Sequence, residues 1–477
     1  MEPRKAAPPV KEPAPRILLV AYHFPPEASV GTHRTVRLVR HLVESGWEVT
    51  VLTGTVATYA VGSPIDQDLC GRVPDGVRVI RAPALRPFEG VSRAIKRYEA
   101  GPSSRTPAPL PSGTGSLTGR RPSTLRRTKR WLDGLLRIPD PQVGWLGPAV
   151  ARGLAAGARY RPDVLYSTAP PWTGHVITRA LAAGLARPWV ADCRDPWARA
   201  PWREGRSRVA GRAAEVLERG VVRAADALVF TTRTNMEEYA AFYGPVVARK
   251  SHLVRNGCDP AEFADLVPFP SNGRFTLLHA GSLYGGRAPS VLFAALASLR
   301  DRGVIDAGSF CFRQMGRASA GEFDIASERV RFGLQDIVEL VPPQPRRDAL
   351  REMVSASCLL LLQPGTTVSI PGKLFEYFAS GRPILALAED GETSDLVRAS
   401  GRGLAVLPGD QSAVEKAIEL FVTGGTRVSG SQGASLFDGN LRSRELVGVI
   451  DEARRATVTT DSVEKRAKMP KDCEAGR

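Results

Sequence analysis

"RILLVAYHFPPEASVGTHRTVRLVRHLVESGWEVTVLT", Arg16 to Thr53, contains the change of period that decides the fold. Its opening "RILLVAY" is a short β-rich apolar run, the pattern of a buried strand. The loop "HFPPEASVGT" follows, and from about His33 to Ser45 the apolar residues recur on one face of a helix that Gly46 stops. "EVTVLT" is again a strand. A strand, a helix and a second strand in succession form a βαβ unit, whose two strands run parallel.

The same alternation continues. Further strands are expected at Val77 to Arg81, Val164 to Ser167, Trp189 to Asp192, Ala227 to Thr231 and His252 to Val254. A second series opens at "RFTLLHAGSL" and runs through Phe310 to Gln314, Ile337 to Leu340, Cys358 to Leu362 and Ile384 to Ala388. Between the two series lies "VRNGCDPAEFADLVPFPSNG", polar and rich in Pro and Gly, which predicts a hinge near residue 260. The chain is therefore expected to be α/β, with two Rossmann-like parallel-sheet domains at 16–260 and 261–456. At 477 residues it is long enough for two cores of roughly 200 residues each. A flexible N-terminus is expected at 1–15, and a disordered tail over 457–477, where "TTDSVEKRAKMPKDCEAGR" is too polar to bury a core.

Composition narrows the function classes. Six scattered cysteines without a close pair suggest neither a zinc site nor a disulfide framework. No apolar run is long enough to span a membrane, and the first residues lack a signal-peptide centre, so a cytoplasmic protein is expected. The formal charge is +16. Between Arg93 and Arg137 there are eleven Lys/Arg against two acids, so over half of the excess lies in one low-complexity insertion. That insertion ends in a partly amphipathic run around Trp131, Leu132, Leu135 and Leu136, and reads either as a solvated segment or as a contact with an anionic membrane surface. Basic residues interleaved with stacking aromatics on a sheet are absent, which argues against nucleic acid.

In an open parallel sheet, ligands bind beyond the carboxyl ends of the strands, where helix N-termini offer N–H groups to phosphate. Four loops qualify. In "PPEASVGTHR", Gly31 either serves a turn or lets the backbone approach a diphosphate. In "SLYGGRAPS", Arg287 either faces solvent or uses its planar fork on a diphosphate. In "TTVSIPGKLFEYFASGRP", Lys373 stands in the first turn of a helix and Glu376 three residues on. Glu376 reads either as an acid favoured by the helix dipole or as an acceptor for the two hydroxyls of a ribose. In "ADCRDPWARAPW", Asp192 and Asp195 flank Arg194 with Trp197 and Trp202 nearby. These acids could hold sugar hydroxyls while a tryptophan stacks on a sugar face, or they could cap the strand end. Trp172, in "YSTAPPWTGH", follows the preceding strand, and His175 reads as a helix-packing residue.

Taken in order, "PPEASVGTHRTVRLVRHLVESGWEVTVLT", "VLYSTAPPWTGH", "VADCRDPWA", "RNGCDPAEF", "HAGSLYGGRAPSVLFAAL" and "PGKLFEYFASGRPILAL" resemble the family-4-like retaining glycosyltransferases of the GT-B fold, in a subgroup with a DxRDPW motif. The resemblance spans roughly Arg16 to Ala456. It implies a nucleoside-diphosphate-sugar donor bound mainly to the second domain, and a sugar or lipid-linked acceptor in the first. It implies no cofactor and no metal. Gly31 resembles the glycine that meets the donor diphosphate, and Arg287 the basic residue that neutralises it. Glu376 resembles the second glutamate of an E-x7-E motif, which holds the ribose, and Ser369, Ile370 and Gly372 would border the transferred sugar and phosphate with Lys373. Asp192 and Asp195 would orient the acceptor or the sugar, beside Trp172, Arg194 and Trp197.

Three positions depart from the pattern: Val368 replaces the first glutamate of E-x7-E, Ser282 replaces an arginine, and Asp192 stands where many relatives have histidine. The resemblance implies a hexosyltransferase of polysaccharide, glycolipid or glycoconjugate biosynthesis, cytoplasmic or peripheral at the inner membrane face. A GT-B-fold nucleotide-sugar epimerase and a non-catalytic sugar-nucleotide-binding subunit are the alternatives, the second favoured by Val368.

Overall fold

The computed structural model describes residues 13–59, 63, 65–85, 138–200, 208–283, 289–317, 319–320, 323–425 and 437–467. The basic insertion, most of the N-terminal segment, Trp202 and Arg287 lie outside the described residues.

Seven strands, β1 (Arg16–Val20), β2 (Glu48–Gly54), β3 (Arg78–Ala82), β4 (Val164–Ala169), β5 (Trp189–Cys193), β6 (Ala227–Phe230) and β7 (Ser251–Leu253), form one sheet. Their order is β3-β2-β1-β4-β5-β6-β7, every pair parallel. Next in the chain come β8 (Phe275–Ala280), β9 (Phe310–Met315), a short antiparallel hairpin of β10 (Ser319–Ala320) and β11 (Phe323–Asp324), then β12 (Val338–Val341), β13 (Cys358–Gln363), β14 (Ile384–Ala388) and β15 (Gly403–Val406). Six of these form a second parallel sheet in the order β12-β9-β8-β13-β14-β15. Strand β15 and the hairpin were not expected from the sequence; "GLAV" is a half-buried edge strand too short to show a period.

Both sheets are covered on two faces, which is why β4 and β13 are buried at every position and read as unbroken runs. The longer helices of the first unit are α1 (Val30–Glu44), α2 (Leu146–Tyr160), α3 (Thr173–Leu185), α4 (Arg208–Ala224) and α5 (Arg233–Tyr243). Those of the second are α6 (Ser290–Asp301), α7 (Arg346–Ser355), α8 (Gly372–Ser380), α9 (Glu392–Ala399) and α10 (Gln411–Val422). A last helix, α11, spans Gly439–Ala467. This is the expected α/β, GT-B-like architecture of two Rossmann-like sheets.

The last helix corrects two expectations. It runs to Ala467, although an unstructured tail was expected from residue 457. It also returns to the first sheet: Leu446, Val449, Ile450 and Ala453 share a core with Ile17, Leu19, Val36 and Val39, so the segment is not part of the second unit. The chain thus crosses between units twice, and the crossings touch. Cys258 N–H donates to the Phe437 carbonyl at 2.9 Å, and Gly439 N–H donates to the Cys258 carbonyl at 2.6 Å.

Strand order places the site. In each sheet the first strand in sequence, β1 or β8, lies between neighbours whose connections leave in opposite directions, and a crevice opens at the carboxyl ends there. The loops after β1, β4, β8 and β13 border those crevices, and all four were singled out from the sequence.

Ile450 is fully buried against the first sheet. Ile450→Ala is expected to lower stability by about 2–4 kcal/mol, measured by urea denaturation, because a core cavity adds to the lost transfer energy.

Candidate functional site

In the first crevice, Gly31 is the second residue of α1, and the Arg194 guanidinium occupies the space a side chain there would need: a Cβ on Gly31 would lie 2.9 Å from Arg194 Cζ. Arg194 is held from behind, its Nε donating to the Ala169 carbonyl (3.2 Å) and its Nη2 to the Pro170 carbonyl (2.7 Å). Its own carbonyl accepts from the Thr231 hydroxyl at 2.6 Å. A cation is therefore fixed across the first turn of α1, whose N-cap residue Ser29 makes no side-chain cap and instead donates to Glu27 at 2.9 Å. Free N–H groups and a guanidinium at one helix terminus suit an anion.

Asp192 does not fill the role expected of it. Its carboxylate is fully buried and takes a fork from Arg34 (Nε to Oδ2 2.9 Å, Nη2 to Oδ1 3.0 Å), with the Tyr166 and Thr168 hydroxyls donating to Oδ2 at 2.7 and 3.0 Å. Both oxygens are committed to the fold. Burial alone would raise its pKa, but the Arg34 charge and these donors hold it below the usual carboxylate value. Asp195 is different. Among the described residues nothing pairs with it, and burial raises its pKa against the opposing pull of Arg194, with Asp192 adding to the rise. Of the two acids, Asp195 alone retains the capacity to engage a hydroxyl.

Trp197 is also corrected: it is buried in the core and stacked on Trp172 at 6.1 Å and 13°, so it supports Trp172 and does not reach a ligand. Trp172 remains partly exposed. His175, as expected, is a packing residue. Its Nδ1 lies 2.7 Å from the Ser167 hydroxyl, and burial lowers its pKa to about 4, so it is neutral at physiological pH.

In the second crevice, Lys373 follows Gly372 in the first turn of α8 and its side chain lies over Gly281, the glycine after β8; a Cβ on Gly281 would collide with it. Gly316, after β9 with φ at 128°, packs on the same backbone, where a Cβ would come within 2.6 Å of the Gly281 carbonyl carbon. Tyr377 fixes α8 over the crevice, its hydroxyl receiving the Ala280 N–H at 3.1 Å and donating to the Leu360 carbonyl at 3.2 Å. Ser369, on the preceding loop, and Gly372, the first residue of α8, are part-exposed, whereas the Ile370 side chain is buried in the core. Val368 is buried as well, and its carbonyl accepts from Thr232 of the first unit at 2.9 Å. Glu392 adds a second bridge, receiving the Thr234 N–H at 2.7 Å and pairing with Arg255 at 3.0 Å.

Glu376 is part-exposed on α8, and its Oε1 receives Arg346 Nη1 at 2.9 Å. Arg346 opens α7 and turns its Nε and Nη2 to the carboxylate of Glu262, which also pairs with Arg72. Arg72, Glu262 and Arg346 were missed from the sequence; only "RNGCDPAEF", which contains Glu262, carried a signal.

The two crevices belong to a glycosyltransferase of GT-B architecture. Residues 31–257 match the glycosyl transferase 4-like domain model. A curated relative, the D-inositol 3-phosphate glycosyltransferase of Xylanimonas cellulosilytica, is 27% identical over 404 residues, covering 79% of this chain and 81% of the relative. Among solved structures, Anabaena HepE in complex with UDP-glucose superposes with a TM-score of 0.59 at 13% identity over 92% of this chain and 99% of that one. Sucrose-phosphate synthase from Thermosynechococcus elongatus gives 0.56 at 17% identity, over 95% of this chain and all of that one.

Asp192→Asn is expected to cost about 3–5 kcal/mol of folding stability, because it leaves the buried Arg34 charge uncompensated, while Asp195→Asn costs under about 1 kcal/mol. Since the folded-state carboxyl of Asp192 lies below 3.8, its stabilisation is present above that pH and is lost as pH falls through the folded value. Denaturant midpoints measured from pH 7 down to pH 2 check both statements.

Proposed function

We propose that the enzyme transfers a hexose-type sugar, with retention, from a nucleoside-diphosphate donor to an acceptor hydroxyl in polysaccharide, glycolipid or glycoconjugate synthesis. The observation that carries this reading is that each sheet presents, at its crevice, a helix N-terminus with a cation fixed across a glycine: Arg194 over Gly31, and Lys373 over Gly281. Charge developing on a leaving diphosphate would meet both, together with Arg287, and such preorganised electrostatics supply a large part of catalysis. The bond from the anomeric carbon to the phosphate oxygen breaks, the acceptor oxygen bonds to the same face of that carbon, and the acceptor proton passes to the leaving phosphate. Asp195 orients the acceptor beside Trp172, and Glu376 holds the donor ribose. The UDP-glucose in the HepE complex supports a nucleotide-sugar donor.

The reading places the enzyme in the cytoplasm, at the inner membrane face. Among the described residues no helix is long and apolar enough to cross a membrane. The basic 93–137 segment supports surface docking. A groove of about 680 Å³ lies between α3 and α4, at the opposite ends of the strands from the crevices, lined in part by Arg179, Arg187 and Asp226. The adjoining exposed face of α4 carries Arg212, Arg219 and Arg223.

Glu376→Ala or Arg287→Ala is expected to weaken nucleoside-diphosphate binding at least about 10-fold by calorimetry, the loss of one charge-assisted contact. Unchanged affinity in both removes the donor assignment. Deleting Gly119 to Arg130 is expected to reduce co-sedimentation with anionic vesicles, and equal binding removes the membrane assignment.

A further inference from the structure

Glu376 is half engaged. Arg346 holds its Oε1 at 2.9 Å, and among the described residues Oε2 accepts no hydrogen bond. Arg346 is itself restrained, because its Nε donates to Glu262 Oε1 at 3.1 Å and its Nη2 to Glu262 Oε2, a two-point fork that fixes the plane of the guanidinium. Glu262 lies in the connection between the two sheets and receives Arg72 of the first unit on the same carboxylate. Four charged residues from four separate segments thus form one chain of contacts, from Arg72 through Glu262 and Arg346 to Glu376.

The Glu262–Arg346 pair stays charged at neutral pH. Burial works against the Glu262 charge, but Arg346 and Arg72 pull its pKa to about 2. Burial also works against the Arg346 charge, which Glu376 and Glu262 reinforce so that it rises above the ordinary arginine value. His33, packed nearby, is driven down to about 3 by burial and then by Arg346, against the pull of Glu262, and so adds no charge at neutral pH.

We infer that Arg346 is a positioning residue for the donor site: by fixing one oxygen of Glu376 it aims the other at the donor's ribose hydroxyls, with Glu262 holding Arg346 in register. The inference rests on the reading of Glu376 as the ribose acceptor. A glutamate free to rotate on a helix surface would lose side-chain entropy on binding, whereas one already pinned at a single oxygen loses less. The two-point fork makes the arrangement specific to arginine. A lysine ammonium reaches one carboxylate as a point charge but cannot present a planar face to two.

The test compares affinities of the full-length protein for UDP and for 2′,3′-dideoxy-UDP by calorimetry, with ADP and GDP and their dideoxy forms run in parallel. The wild type is expected to prefer the ribo form by roughly 10-fold or more, the magnitude of hydrogen bonds to a charged acceptor. Arg346→Gln is expected to shrink that preference to within about 3-fold by weakening only the ribo form, and Arg346→Lys to restore part of it. Thermal melting of each variant reports folding, and Arg346→Lys serves as the principal variant where Arg346→Gln does not fold. If the wild type shows the preference and the folded variants keep it, or bind the ribo form more tightly, Arg346 does not position Glu376 and the inference falls while the donor site stands. If the wild type binds a nucleoside diphosphate without preferring the ribo form, the ribose role of Glu376 falls and the inference with it. If the wild type binds no nucleoside diphosphate, the reading of the crevice falls too.

Discussion

The fork between Arg34 and Asp192 is the contact on which the first unit and its junction depend. Two charges cannot be taken out of water unless they meet each other and every remaining donor and acceptor is occupied. Here Asp192 also receives two hydroxyls, while Arg34 also donates to the carbonyls of Val254 and Arg255 and to the Asn256 side chain. One buried pair thus joins α1, β4, β5 and the start of the connection to the second sheet. The terminus of α1, where Gly31 and Arg194 meet, is positioned by it.

This explains why a strand-end acid was misread. From the sequence, Asp192 stands three residues from Asp195 with Arg194 between them, which suggests acids that hold sugar hydroxyls or cap the strand end. The partner that settles the matter, Arg34, is 158 residues away in the first helix of the chain. Trp197 fails for a related reason: an aromatic in a polar loop resembles a sugar platform until Trp172 is found stacked over it. Local patterns revealed the strands, the helix starts and the glycine loops because those depend on neighbours in the chain. Glu376 and Lys373 were legible because both lie within one turn of a recognisable helix start, but Arg72, Glu262 and Arg346 come together only through the packing of separate segments. Likewise, nothing local in α11 indicates which sheet its apolar face covers.

Val368 makes the site unlike the pattern it resembles. Its side chain is buried and its carbonyl is used to bind Thr232, so this backbone serves the contact between units. The neighbouring bridge through Glu392 to Thr234 and Arg255 adds charge to the same seam. The crevice is bordered by polar contacts, and such contacts can be remade at small net cost when water replaces one partner.

The paired crossings at Cys258 and Gly439 have a mechanical consequence. A single covalent linker allows two bodies to swing and to swivel, whereas two backbones lying side by side and hydrogen-bonded together let them bend about one axis and resist torsion. The tight fit is visible in the glycines: a Cβ on Gly257 would lie 2.7 Å from the Gly439 Cα. The two units are thus joined like a door on a two-knuckle pin, and the paired backbones at Cys258 and Gly439 limit how one unit can twist against the other.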